Sequence, residues 1–276
     1  MKIRIVADSS ANLRTTADKH IISVPLKITT DKKEYVDDES LDIEVMIREL
    51  ASYKGRSGTA CPGTGDWLEA FGDADWVFAI TITSTLSGSY NAARVAKEEY
   101  ESEYPNRKVC LIDSLSAGAE LKLIQEKIEE LVAEGHDFDT ICNKITDYQK
   151  HTHLIFCLKS LTNLANNGRV NPAVAKIAGV LNIHVVGIAS DHGDLEQREK
   201  ARGEKKAISA IVKLMKELNY NGKKVIIDHC LNETDASKLK EILLKEFPSA
   251  NIKLAPTYGL CSFYAEKGGL MVGFED

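Results

Sequence analysis

Three short stretches of this sequence place hydroxyl side chains beside aspartate or glycine where a strand would hand over to a helix. They are Ala7-Asp8-Ser9-Ser10, Thr83-Ser84-Thr85-Leu86-Ser87-Gly88-Ser89 and Asp113-Ser114-Leu115-Ser116-Ala117-Gly118. Each opens a helix, whose first amides are unpaired and whose dipole is positive at that end. Hydroxyls and free helix amides together can hold an anion without a cationic side chain. In an open parallel sheet the carboxyl ends of the strands share one edge, so the three turns are expected to converge there. The plain alternative is that Asp8, Ser9, Asp113 and Ser114 only cap helices. Ser87-Gly88-Ser89 goes further, because Gly88 admits a ligand close to the backbone and a long helix follows. A fourth element, the loop Gly58-Thr59-Ala60-Cys61-Pro62-Gly63, is rich in residues that fix turns and expose amides.

The elements that must position these turns alternate in the manner of a parallel sheet covered by helices. Strands are expected at residues 3–7, 76–82, 108–112 and 154–158, with helices at 41–52 and 117–135. In the last of these Leu121, Ile124, Ile128 and Leu131 share one face, and Gly135 suits the C-terminus. Residues 21–37 read as a strand and a hairpin turning at Thr30-Asp31-Lys32-Lys33. Beyond about Lys159 the texture changes, through a short helix, the loop NNGRV and Pro172. A second set then follows: strand 185–189, a turn at Asp191-His192-Gly193-Asp194, helix 203–219, strand 224–227, helix 235–247, strand 252–255 and strand 268–274. The expected architecture is α/β with two domains. Residues 1–160 form a Rossmann-like parallel-sheet α/β domain, residues 161–276 an α+β domain, and a ligand tunnel lies at the junction.

Taken in order, these pieces resemble the DegV family of bacterial fatty-acid-binding proteins. That family shows a strand ending in A/T-D-S-S/T, then T-S-x-P-S, I-S-S-x-L-S-G-T-Y, a D-S strand end and a G-G-R-I loop. Here the corresponding pieces are residues 7–10, 59–63, 82–90, Asp113-Ser114 and Asn167-Gly168-Arg169-Val170, along nearly the whole chain. The resemblance implies one long-chain fatty acid, its carboxylate gripped by Thr59 and Ser87 beside Gly88, its acyl chain in an apolar tunnel. It also implies presentation of that lipid to a separate fatty acid kinase, with no covalent step of its own and no cofactor. Two departures stand out. Ala60 and Gly63 replace the family's serines, and Tyr264 falls where many members carry a histidine in T-H-x-G-P-G. A tyrosine donates one hydrogen bond but carries no positive charge near neutral pH. Ser9, Ser114, Cys61 and Arg169 are expected to support the site.

Other residues invite weaker readings. His151 and His153 would face the same side of a strand, but a metal site needs further ligands and none has the spacing, so no metal is expected. A triad of Ser87, His229 and Asp228 fails because adjacent strand residues point to opposite faces, and no GxSxG motif occurs. The stretch REKARGEKK, residues 198–206, carries five basic and two acidic side chains. It reads as a solvated helix start, or as a docking patch for the kinase through Arg198, Lys200, Arg202, Lys205 and Lys206.

Composition excludes several classes. With 276 residues, 43% hydrophobic, the chain would bury roughly three quarters of its unfolded surface and needs neither disulfides nor metal to fold. A formal charge of −6, from 35 Lys and Arg against 41 Asp and Glu, argues against a broad nucleic-acid face. No apolar run approaches the ~18 residues of a spanning helix, and MKIRIVADSS turns polar too soon for a signal peptide. Cys61, Cys110, Cys142, Cys157, Cys230 and Cys261 form no CxxC pair, and the expected compartment is the cytoplasm. Two other functions fit the same hydroxyl cradle. One is an enzyme acting on a phosphorylated small molecule, which needs polar surroundings beyond the cradle. The other is a scaffolding protein without ligand, in which Thr59 and Ser87 cap helices with no cavity beside them.

Overall fold

The computed structural model describes residues 1–171 and 182–276. Pro172, read above as part of the junction, lies outside the described residues. A parallel four-stranded sheet, in the order β2-β1-β6-β7, comprises β1 (Ile3–Asp8), β2 (Ile21–Val24), β6 (Trp76–Thr81) and β7 (Lys108–Asp113). A small antiparallel sheet joins β3 (Lys27–Thr29), β4 (Glu34–Val36) and β5 (Gly58–Ala60). The third sheet has six strands, in the order β10-β9-β8-β13-β11-β12. These are β8 (Thr152–Leu158), β9 (Ile183–Ala189), β10 (Leu195–Arg202), β11 (Lys224–His229), β12 (Asn251–Pro256) and β13 (Leu270–Glu275). Only β11 and β12 pair in parallel within it.

Helices cover and bridge these sheets. Along the chain they are α1 (Ile43–Ser52), α2 (Thr64–Phe71), α3 (Ser89–Glu103), α4 (Ala119–Ala133), α5 (Phe138–Tyr148) and α6 (Thr162–Asn166). Past the undescribed residues come α7 (Glu204–Glu217), α8 (Glu233–Glu246) and α9 (Gly259–Ala265). Helix α4 packs against β6 of the parallel sheet and against β8, β11 and β13 of the six-stranded one. A helix covered on both sides must bury its polar positions, and α4 buries Glu120, Lys122 and Gln125 with its apolar residues. The ionisable groups have polar partners, as burial requires. Lys122 Nζ meets Asp228 Oδ1 at 2.7 Å, Asn12 Nδ2 donates to Asp228 Oδ2 at 2.7 Å, and Thr152 Oγ1 donates to Glu120 at 2.7 Å. Gly118 admits β13 at the start of α4. Its φ is +65°, and a Cβ there would stand 2.5 Å from Met271 Cε.

Three expectations are corrected. The strand near 154–158 belongs to the six-stranded sheet, between β9 and β13, not to the parallel one. An apolar run buried on both faces reads the same in either sheet, so sequence gives no way to choose. The stretch from Arg198 is the second half of an edge strand, and the helix begins only at Glu204. Strand β10 shows one face to solvent and has Leu195 and Ala201 as its only apolar residues, too little alternation to register. The loop from Gly58 opens as β5, paired to β3 with Ile28 opposite Thr59.

Candidate functional site

The three hydroxyl-rich turns do converge, and aspartates knot them. Asp8, fully buried at the end of β1, accepts hydrogen bonds from Ser10 N (3.2 Å), Ser10 Oγ (2.5 Å), Ile82 N (2.9 Å) and Ser89 Oγ (2.6 Å). Burial pushes its carboxyl pKa up, and the hydroxyls and amides pull against that shift. Asp113 accepts from Ser84 N at 3.1 Å and Leu115 N at 3.2 Å, tying the second turn to the third. Thr83 N donates to Ser116 O at 2.9 Å, and Gly118 N donates to Ser10 O at 2.9 Å.

These bonds sort the expected residues. Ser9 Oγ accepts from Leu26 N at 3.0 Å, and Ser114 Oγ bonds the backbone of Ser116. Both are buried supports that do not line the cavity described next. Ser87 differs. Its Oγ accepts from Ser89 N at 3.2 Å, and its own proton has no acceptor among the described residues. Gly88 has an ordinary φ of −74°, so its role is spatial: a Cβ would lie 3.2 Å from Cys61 Sγ.

Beside Ser87 lies a cavity of about 310 Å³, at the lower end of the range for small-molecule sites. All three sheets build it. Thr59 and Cys61 come from β5 and its exit, and Ile82, Ser87 and Ala117 from the turns of the parallel sheet. Leu154, Phe156, Leu158, Leu195 and Met271 come from the six-stranded sheet, with Leu260, Cys261, Tyr264 and Ala265 from α9. At one end the lining is polar, where Thr59, Ser87, Gly88, Arg169 and Tyr264 meet. There it adjoins a surface cleft that shares Leu86, Ser87, Gly88 and Arg169. Leucine, isoleucine, phenylalanine, methionine and alanine dominate the remainder, and among the described residues Arg169 is the one charged side chain in the lining.

Thr59 Oγ1 and Tyr264 OH lie 2.8 Å apart. One proton serves that bond, and the other is free to point at a ligand. Burial raises the Tyr264 phenol above 10.0, only partly offset by the Thr59 hydrogen bond and the Arg169 charge, so the hydroxyl stays neutral. Arg169 Nε donates to Leu86 O at 3.0 Å and its guanidinium reaches Asn167 O. No carboxylate among the described residues forms an ion pair with it. Helix α9 is anchored by Asp37, which the sequence reading missed. Its carboxylate accepts from Gly259 N (2.7 Å) and Leu260 N (2.8 Å), with Arg14 at 3.7 Å. The apolar wall residues were also missed, having no signal beyond ordinary core patterning.

Other expected residues stand apart. His151 and His153 hold the carboxylate of Asp276, at 3.1 and 3.0 Å. Asp228 is engaged with Lys122 and Asn12, away from Ser87. In the basic stretch Arg198 pairs with Glu196 at 3.0 Å, while Lys200, Arg202, Lys205 and Lys206 have no ion-pair partner among the described residues. Leu195, at the start of β10, lines the cavity; Arg202, at the far end, is roughly 23 Å further along an extended strand. No helix among the described residues is long and apolar enough to cross a membrane.

A DegV domain-containing protein of Streptococcus gordonii is 41% identical, over 100% of this chain and 99% of the relative. A DegV family protein from Eubacterium eligens, loaded with heptadecanoic acid, superposes with a TM-score of 0.97 at 42% identity, covering 99% of each chain. The Streptococcus pneumoniae Fatty Acid Kinase (Fak) B3 protein, loaded with linoleic acid, gives 0.97 at 41% identity, covering 100% of this chain and 99% of that one. The model of the DegV family, described as uncharacterised protein, matches residues 2–275, and the chain belongs to that family.

Proposed function

We propose that this protein binds one long-chain fatty acid, carboxylate at the polar end of the cavity and acyl chain along its apolar walls. The observation that carries the reading is the lining itself, a largely apolar space with hydroxyls and a guanidinium gathered at a single end. Each buried methylene contributes about 0.8 kcal/mol, so the walls supply most of the affinity and the hydroxyls fix orientation. Ser87, the Thr59–Tyr264 pair and Arg169 are the donors for the carboxylate, with Gly88 leaving room for it and Cys61 at the rim. A phosphorylated metabolite would find polar atoms only at the entrance. A scaffold without ligand would have no reason to leave a cavity beside Ser87.

The lipid is presented to a fatty acid kinase, and this chain performs no covalent step of its own and takes no cofactor besides its lipid. The name of the pneumococcal neighbour supports that role. Arg198, Lys200 and Arg202 on β10, with Lys205 and Lys206 at the start of α7, are the basic face offered to the kinase. The compartment that suits such a partnership is the cytoplasm, and the lipid would lie between a parallel-sheet half and a six-stranded-sheet half, the second taking in β8 and so beginning before residue 161.

The test is to purify the protein, denature it and measure released fatty acid by mass spectrometry. One fatty acid per chain is expected from the wild type, and a clear loss from Ser87→Ala, since a hydrogen bond to a charged group contributes about 1.5–3 kcal/mol. A wild-type protein that is empty and also rejects added fatty acid would refute the proposal.

A further inference from the structure

Glu266 ends helix α9 with φ +53° and ψ 171°, a conformation that glycine adopts freely and other residues hardly at all. Such strain persists only where its surroundings hold it, and here they do. Glu266 N donates to Ser262 O at 3.0 Å, and Gly269 N donates to Glu266 O at 3.1 Å. The turn aims the side chain back at α6. Its Oε1 accepts from Ser160 Oγ at 2.8 Å and from Asn163 N, in the first turn of α6, at 3.2 Å. Asn163 Nδ2 completes the junction by donating to Phe263 O of α9 at 2.8 Å.

The two elements joined in this way are two walls of the cavity. Helix α9 carries Leu260, Cys261, Tyr264 and Ala265; α6 carries Leu164 and runs on into the loop that ends at Arg169. That loop has a second tie, from Asn167 Nδ2 to Ser57 O at 3.3 Å, just before the strand bearing Thr59. From this geometry we infer that Glu266 is a positioning residue: its carboxylate clamps the α6–Arg169 arm to α9, holding the cavity shut on its lipid and setting how fast the lipid leaves. The inference rests on the lipid-binding reading above and adds to it a determinant of release that touches no ligand atom.

The backbone strain makes the role separable from plain stability. Glu266→Gly removes the carboxylate but relieves the strain, so the protein is expected to unfold at the same temperature as the wild type or higher. If the clamp holds the cavity closed, a bound fluorescent fatty acid leaves this variant about tenfold faster, the ratio that follows from losing a charge-assisted hydrogen bond. Glu266→Gln keeps an oxygen able to accept both bonds and is expected to release lipid at nearly the wild-type rate. A Glu266→Gly protein that releases lipid at the wild-type rate overturns the inference, whatever its melting temperature. So does a Glu266→Gln protein as fast as the glycine variant. A wild-type protein that takes up no lipid overturns the lipid-binding reading itself and removes the clamp's role with it. That result is distinct from tight binding that ignores Glu266.

Discussion

Replacing Tyr264 by phenylalanine deletes one hydroxyl, and the structure says what that hydroxyl does with and without ligand. In the empty protein the variant loses one neutral hydrogen bond, 2.8 Å long, to half-buried Thr59, which contributes about 1 kcal/mol. With a fatty acid bound, the acceptor reached through the pair is a carboxylate, and the loss becomes about 1.5–3 kcal/mol. Affinity reads the difference, about 0.5–2 kcal/mol, so Kd is expected to rise about 2- to 30-fold. Competition against a fluorescent fatty acid measures it directly. The pH dependence adds a second signature. Burial raises the Tyr264 phenol above its ordinary 10.0, so the neutral donor is fully present below that value and is lost only as pH rises through the higher folded value. The ligand carboxyl, with an ordinary pKa of about 4.3, is ionised throughout the neutral range. Wild-type affinity is therefore expected to stay flat between pH 6 and 9 as far as this residue is concerned. Tyr264→His should bind more tightly below its imidazole pKa, ordinarily about 6.5, where the ring becomes cationic. Unchanged affinity in Tyr264→Phe would refute the reasoning, as would a histidine variant with no acid-side gain.

Two further outcomes follow. Lys122→Met leaves the buried carboxylate of Asp228, whose pKa burial already raises, with Asn12 as its remaining partner. The variant should lose about 3–5 kcal/mol in chemical denaturation, partly recovered in Lys122→Met with Asp228→Asn; a loss under about 1 kcal/mol would contradict the pairing. Lys200→Glu combined with Arg202→Glu should weaken association with a fatty acid kinase in a salt-dependent way while leaving fatty acid affinity unchanged. Equal kinase binding at low salt would remove these residues from the docking face.

What the sequence made legible was local chemistry, and what it hid was the partner of each surface. The strand-turn-helix grammar located Ser87 and Gly88, because capping preferences and glycine write themselves into a few adjacent residues. It did not separate Ser87 from Ser9 and Ser114. All three are serines in like turns, and only the packing decides that Leu26 N and the Ser116 backbone occupy two of them. Helix α5 was readable in principle. Asp137 caps it through Thr140 N at 3.0 Å, and Phe138, Ile141 and Ile145 follow at helical spacing, yet it was overlooked behind the longer pattern of α4. Strand β10 was not readable at all, since an edge strand with one wet face has little hydrophobic period to show. Asp37 belongs to the same class, one of three consecutive acidic residues after a hairpin, with partners 222 and 223 positions away.

A net charge of −6 sits uneasily with an anion site only if charge is averaged over the molecule. Screening confines surface charges to about 8 Å at physiological ionic strength, so the donors lining the cavity decide. One buried acid close to the site is Asp8, whose Oδ2 lies 2.6 Å from Ser89 Oγ in the turn that presents Ser87. Left bare, that carboxylate would repel a ligand anion. Four donors converge on it instead, two of them hydroxyls of Ser10 and Ser89. The turns thus divide their polar groups between two anions. One set holds the protein's own buried carboxylate and fixes the geometry of the turns. The other, the Ser87 hydroxyl proton with the Thr59–Tyr264 pair and Arg169, faces the cavity. The repeated Ser and Thr residues that first suggested one shared anion site are better understood as this division, and it explains why, of the serines in the three similar turns, Ser87 faces the cavity while Ser9 and Ser114 do not.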